Sequence, residues 1–342
     1  MVLVVAYAVC MASIRMAVVG AGSWGTTVAS LAAANTPTTL WARRADVVES
    51  INSHHINPSY ISGVSLAPEL TASSSLVDTV SSADVVVMAV PSQGFRQVLT
   101  EAAPHIRPWV PIVSLSKGLE AGTMMRMSQV ANDVLPDHPV AVLTGPNLAS
   151  EISIGQPAAS VVAIADDVIA TALQELFSSP TFRVYTNSDV VGCELAGVVK
   201  NVIAIASGMA MGMGFGDNTR ASLLTRGLAE MTRLAVALGG DADSLAGLAG
   251  MGDLIATCSS TSSRNTSVGV RLGQGEALTD IVASTSMVAE GVRSSAIVLQ
   301  LAQQHNIDMP ITEQVVAVCH EGKSATDALL ALMSRRARPE AK

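Results

Sequence analysis

The chain has few aromatics, 3% of its residues, and little charge, with Asp, Glu, Lys and Arg together at 14%. About half of it is hydrophobic, mostly Ala, Val and Leu. That composition suits a parallel sheet covered by helices better than a β-sandwich. Cysteine is scarce. Cys10, Cys193, Cys258 and Cys319 lie far apart and form no C-x-x-C pair, so they read as small buried residues of a reducing, cytoplasmic compartment. The six histidines form no metal-spaced pair, His54-His55 reads as loop, and no metal is expected. The formal net charge is −8, no basic stripe is visible, and nucleic acid is not an expected partner. The apolar opening, Met1 to Ala12, is shorter than the roughly 20 residues of a membrane span. Its first charge, Arg15, follows the apolar part, whereas a secretory signal begins with a positive region. Residues 1–13 therefore read as an extension, or as a start assigned upstream of Met11 or Met16, and no stable membrane insertion is expected. No internal repeat recurs at a fixed period.

At 342 residues the chain has room for two domains. Met16-Ala-Val-Val is a short apolar run, hence a buried strand. Gly20-Ala-Gly22-Ser23-Trp24-Gly25 follows, then a helical stretch from Thr26 to Ala34. This is G-x-G-x-x-G between strand and helix, the dinucleotide fingerprint. Gly20 makes the tight turn, Gly22 lets the backbone meet a pyrophosphate, and Gly25 lets helix pack on strand. The phosphates then lie at the helix N-terminus. The second strand, Thr38 to Trp41, ends near Arg43-Arg44, where an NAD-selective site would carry Asp or Glu. Those arginines either hold a 2′-phosphate, so that NADP is accepted, or are two surface cations. Further strands are expected over residues 84–90, 111–115, 140–144, 159–165 and 182–186. The middle ones end in Pro91-Ser92, Ser116-Lys117-Gly118 and Gly145-Pro146-Asn147. In open α/β sheets ligands bind outside those carboxyl ends, although turn chemistry alone also puts Gly and Pro there.

From about Ser188 helical periodicity takes over. Helices are expected over 190–209, 219–238, 242–257, 267–273, 290–305, 311–319 and 325–333. The expected architecture is α/β plus all-α. A Rossmann-type doubly wound sheet occupies residues 14–188, an all-helical domain 189–334, and a charged tail 335–342.

Lys200 sits in the stretch Gly192 to Gly216, on a face of small residues beside Asn201, with apolar residues at helical spacing on another face. Taken alone it reads as a lysine snorkelling from a core helix. Asp253 and Thr257 are four apart, on one helix face. Ser259 to Ser267 is hydroxyl-rich around Arg264 and Asn265. It is either a flexible linker or a helix start able to grip a phosphate monoester. Glu290 beside Gly291 reads in isolation as a cap. Hydride transfer at a carbinol carbon needs a base for the alcohol proton, and a lysine serves if burial or a neighbouring cation lowers its pKa. Lys117 and Lys200 are the two candidates, and Asp253 could orient the lysine.

These segments, in order, carry a resemblance. GAGSWGT (20–26), LWARR (40–44), AVPSQGFR (89–96), SLSKGLE (114–120) and LTGPNLASEI (143–152) are followed by ELAGVVKNVIAIASG (194–208), GFGDNTRASLLTRGLAEM (214–231), GMGDLIATC (250–258), SSRN (262–265) and EGV (290–292). The chain resembles the bacterial-type NAD(P)-dependent glycerol-3-phosphate dehydrogenases. The resemblance implies reversible reduction of dihydroxyacetone phosphate to sn-glycerol 3-phosphate, feeding phospholipid synthesis, in a homodimer. It implies Lys200 as proton acceptor in the oxidation direction and Lys117 in contact with substrate and cofactor. Gly145, Asn147, Asp253, Ser263, Arg264 and Asn265 would line the substrate. Ser23, Trp24, Arg43, Arg44, Ala149, Arg264, Val288 and Glu290 would contact NAD or NADP. The extension before Met16 and Asn147, where many relatives have serine, depart from the family pattern. Two alternatives stay open: a dehydrogenase of another 2-hydroxy or keto acid, and a dinucleotide-sensing module without chemistry.

Overall fold

A computed structural model of the chain describes residues 14–260, 262–284 and 289–336. The chain divides into two compact units, Met1–Glu194 and Leu195–Lys342.

In the first unit β1 (Met16–Val19) leads into α1 (Ser23–Ala33), β2 (Thr38–Trp41), α2 (Ala45–His54) and β3 (Thr71–Ser73). Next come α3 (Leu76–Ser81), β4 (Val85–Met88), α4 (Ser92–Ala102) and β5 (Ile112–Ser114). Then follow α5 (Met127–Val134), β6 (Val140–Thr144), α6 (Ala149–Ile152), β7 (Ala158–Ala163), α7 (Asp167–Phe177) and β8 (Phe182–Asn187). The eight strands form one sheet in the order β3-β2-β1-β4-β5-β6-β7-β8. All neighbours run parallel except β6 and β7, which pair Val142 with Ala163 in antiparallel register. β3 escapes sequence reading because Thr-Ala-Ser has no apolar run.

The central strands read as unbroken apolar runs because both faces are covered. Alternate residues serve different cores. Met16, Val18, Val85, Val87 and Val113 pack with Val28 and Ala32 of α1 and with Leu173 and Phe177 of α7. Ala17, Val19, Val86, Met88 and Ile112 pack with Phe95 and Leu99 of α4 and Val130 of α5. A sheet sandwiched in this way is the doubly wound architecture the composition suggests.

Helix α8 (Val190–Gly212) starts in the first unit and runs on into the second. It is long and apolar enough to cross a membrane, at mean hydropathy 1.6 over an 18-residue stretch, but 89% of that stretch is buried inside the protein, so it is a core helix. The second unit continues with α9 (Asp217–Ala237), α10 (Ala242–Ala246), a π-helical turn (Leu248–Gly252), α11 (Asp253–Ser259) and α12 (Arg264–Gly273). It ends with α13 (Leu278–Ser284), α14 (Glu290–Gln304), α15 (Pro310–His320) and α16 (Ala325–Met333). The single helix expected over 242–257 is broken in three. Gly247 is extended, at φ −88 and ψ −161, and glycine holds a helix poorly. The Ser/Thr-rich stretch resolves in favour of a helix start, since Ser263 caps α12 by accepting from Thr266 N–H.

Two G-x-x-x-G segments make α8 and α12 touch through their backbones. A Cβ on Gly208 would lie 2.2 Å from the Thr266 carbonyl oxygen, and one on Gly269 would lie 2.2 Å from that of Ile205. Only hydrogen fits at either place. This crossing sets Arg264 and Asn265, in the first turn of α12, against the helix that carries Lys200.

Candidate active site

The nucleotide half is built around the turn from β1 to α1. Gly20 has φ +122, and a Cβ there would lie 2.6 Å from the Ala89 carbonyl oxygen. On Gly25 a Cβ would lie 2.1 Å from the Gly20 carbonyl oxygen. Both positions are therefore closed by the protein's own backbone. Gly22 differs, because a Cβ there meets nothing within 4 Å. It is also the N-cap of α1, extended and with no side-chain cap. Helix N–H groups facing open space above a glycine fit a pyrophosphate, so the residues present suit a dinucleotide.

Asn57 braces this turn and was not singled out from the sequence. Its Nδ2 donates to the Ala21 carbonyl at 3.0 Å and to Thr26 Oγ1 at 2.8 Å, and the residue is fully buried. Only its place before Pro58 hinted at an ordered turn. Ser23 Oγ donates to the Tyr60 carbonyl at 3.0 Å, and the Trp24 ring lies edge-on to Phe182, centroids 6.0 Å apart. Arg43 and Arg44 are both exposed. Arg44 pairs with Asp46, which raises its pKa by hydrogen bonding. Among the described residues Arg43 makes no ion pair.

The loops after β4, β5 and β6 meet. Ser116 Oγ donates to the Val90 carbonyl at 2.6 Å, and Lys117 Nζ donates to the Gly145 carbonyl at 3.0 Å. Asn147 Nδ2 donates to Ser160 Oγ at 3.0 Å, while its buried Oδ1 has no hydrogen-bond partner among the described residues. Ala149 begins α6. Three sequence-distant clusters thus share one edge of the sheet, as expected of the carboxyl ends of parallel strands.

In the second unit Lys200 is 6% exposed and Asp253 1%. Lys200 Nζ donates to Asp253 Oδ1 at 2.5 Å and to Thr257 Oγ1 at 2.7 Å. The π-helical turn delivers Asp253 as the first residue of α11, and such turns often mark functional positions. Burial disfavours an ammonium and a touching carboxylate favours it. The charged group that Lys200 Nζ donates to here is the carboxylate of Asp253. Thr257, read from the sequence only as sharing a face with Asp253, is a direct partner of the lysine.

Asn265 is held at both ends of its amide. Nδ2 donates to Asn201 Oδ1 at 2.9 Å, and Oδ1 accepts from Gly291 N–H at 3.0 Å. This ties α8, α12 and the start of α14 together. Arg264 is exposed, Ser263 Oγ also accepts from Thr266 Oγ1 at 3.0 Å, and Glu290 opens α14. Val288 lies outside the described residues. Among the described residues no group of three or more His, Cys, Asp or Glu could hold a metal.

A doubly wound sheet with an open glycine cradle, followed by a helical unit with a buried lysine–carboxylate pair, defines a dinucleotide-dependent oxidoreductase of Rossmann type. The chain belongs to the NAD-dependent glycerol-3-phosphate dehydrogenase family. The family's N-terminal model matches residues 15–170 and its C-terminal model residues 189–330. The glycerol-3-phosphate dehydrogenase (NAD(P)+) 2 of Sphingopyxis alaskensis is 55% identical over 328 residues, spanning 96% of this chain and 98% of its own. A counterpart from Thermobifida fusca is 53% identical over 330 residues, 95% of this chain and 98% of its own. The crystal structure of glycerol-3-phosphate dehydrogenase from Coxiella burnetii matches with a TM-score of 0.89 at 36% identity, covering 94% of this chain and 99% of that one.

Proposed function

We propose that the protein reduces dihydroxyacetone phosphate to sn-glycerol 3-phosphate, reversibly, in the cytoplasm, supplying glycerophospholipid synthesis. The observation that carries this reading is the buried contact of Lys200 Nζ with Asp253 and Thr257, beside an α12 start bearing Arg264 and Asn265. The glycine cradle, with Ser23, Trp24, Arg43, Arg44, Ala149, Val288 and Glu290, would hold NAD or NADP. When bound, the reduced nicotinamide supplies the hydride to C2 of the triose. Lys200 gives a proton from Nζ to the C2 oxygen and, in the reverse direction, takes it back. Asp253 and Thr257 fix the direction of that nitrogen. Lys117 steadies the substrate at the carboxyl edge of the sheet, next to Gly145 and Asn147. Arg264 supplies a planar cation for the phosphate, and Ser263 and Asn265 shape the pocket around it. We expect a homodimer and NADPH as an accepted cofactor.

A direct assay tests the reading. NADH and NADPH oxidation is followed with dihydroxyacetone phosphate against a panel of 2-keto acids, with particle mass measured alongside. Turnover of the triose phosphate is expected. Reaction of a keto acid with none of the triose phosphate rejects the assignment, and cofactor binding without turnover of any substrate marks a sensing module.

A further inference from the structure

We propose that Glu194 is a positioning residue for the reaction, tying the helix that bears Lys200 to the loop that bears Lys117. The inference rests on the roles given above to the two lysines. Glu194 lies near the start of α8, and its side chain is 3% exposed. Oε1 accepts from Ser128 N–H at 2.9 Å. Oε2 accepts from Arg126 Nη1 at 2.5 Å and from Ser128 Oγ at 2.5 Å. A carboxylate buried this deeply is costly unless its oxygens are matched, and here both are. Apolar residues of similar volume would hold a helix there without that desolvation. A matched carboxylate adds direction, because it accepts only along defined lines.

Arg126 is where the two supports join. Its guanidinium meets Glu194, and its backbone pairs with Leu119 in an isolated antiparallel bridge. Leu119 stands two residues after Lys117. The loop is closed again by Glu120 N–H donating to the Met125 carbonyl at 2.9 Å. Its outer wall is fixed by the paired contacts of Arg96 Nε and Nη2 with the two oxygens of Glu120, at 2.7 and 3.0 Å. The loop carrying Lys117 is therefore pinned at its neck, and the neck is fastened to Glu194. Lys200 follows six residues later on the same uninterrupted helix, a rise of about 9 Å. A shift or rotation of the first turns of α8 moves that amine. Misplacement by about 1 Å at a reacting centre can cost about a hundredfold in rate.

The test uses the full chain with Glu194→Gln, Arg126→Lys and Ser128→Ala. NADPH binding is titrated first, to count folded sites, and kcat and KM for dihydroxyacetone phosphate are then expressed per site. The expected result is a kcat lowered about tenfold or more in Glu194→Gln and by less in the two milder variants, with NADPH affinity within about twofold of wild type. A merely structural role lowers Tm and leaves kcat per NADPH-binding site unchanged, and that result overturns the inference. A fall in NADPH affinity in step with kcat also overturns it. If Glu194→Gln fails to fold, Arg126→Lys and Ser128→Ala decide. Wild-type enzyme run alongside separates the two layers. Its failure to turn over the triose phosphate rejects the functional reading and this inference with it, whereas a working wild type with unaffected variants rejects the inference alone.

Discussion

The Lys200 amine and the Asp253 carboxylate lie 2.5 Å apart across 53 residues of sequence, both shielded from water. Removing one partner of a buried pair leaves the other charge uncompensated, at a cost of about 3–5 kcal/mol. Asp253→Asn is therefore expected to lower Tm as well as turnover. Lys200→Ala is expected to lower kcat by about 10²–10⁴, the usual contribution of a general acid–base group. NADPH affinity should stay near wild type in Lys200→Ala. Steady-state kinetics with a fluorescence titration of NADPH checks both, and a wild-type-like kcat in Lys200→Ala removes the lysine from its role.

Gly22 and Gly25 answer the same substitution differently. Gly25→Ala drives a methyl into the Gly20 carbonyl oxygen and the Ala89 side chain, so folding itself should suffer. Gly22→Ala meets no protein atom and should keep its Tm, yet the methyl enters the space assigned to the pyrophosphate. A loss of about tenfold in NADPH affinity, about 1.4 kcal/mol, is expected. Unchanged affinity in Gly22→Ala places the phosphates elsewhere.

Arg264→Ala is expected to raise KM for dihydroxyacetone phosphate by about tenfold or more, the loss of one charge-assisted contact. Lysine at 264 should rescue only part of that, because a point charge lacks the planar fork. An unchanged KM in Arg264→Ala removes the phosphate grip.

Gly269→Ala forces apart two helix backbones that meet at Gly208. Overpacking of this kind costs about 1–3 kcal/mol. The variant should melt several degrees lower. KM for the triose phosphate should rise too, because the start of α12 moves. A Tm equal to wild type would show that the crossing yields without cost.

Glu230 supplies a pH dependence. Its buried carboxyl accepts from Ile311 N–H, Thr312 N–H and Thr312 Oγ1 at the start of α15. Burial pushes its pKa up from 4.5 to about 7, with those N–H donors pulling the other way. The folded state thus holds the proton more tightly than the unfolded one. The stability this provides is fully present below about pH 4.5 and is lost as pH rises to about 7. Relative to Glu230→Gln, which cannot titrate, wild-type Tm should fall across that window. Parallel Tm profiles for the two proteins would refute this.

Much of the first unit can be read along the chain, because a strand buried on both faces is an unbroken apolar run and the glycine turn has fixed spacing. β3 has neither signal, and its place at the sheet edge comes from pairing Leu40 with Ala72. The reversal between β6 and β7 is equally silent, since strand direction leaves no local mark. In the helical half, periodicity located α8 and α9, whereas the break at Gly247 and the π-helical turn were hidden inside a continuous apolar pattern.

Sequence alone determined the family, the two-part architecture and the residue types able to bind a dinucleotide and move a proton, since these depend on local spacing. Tertiary structure decided what touches Lys200, which donors satisfy Glu194, and why Gly208 and Gly269 cannot carry a side chain. Those facts join residues tens of positions apart, and such distances close only when the core packs.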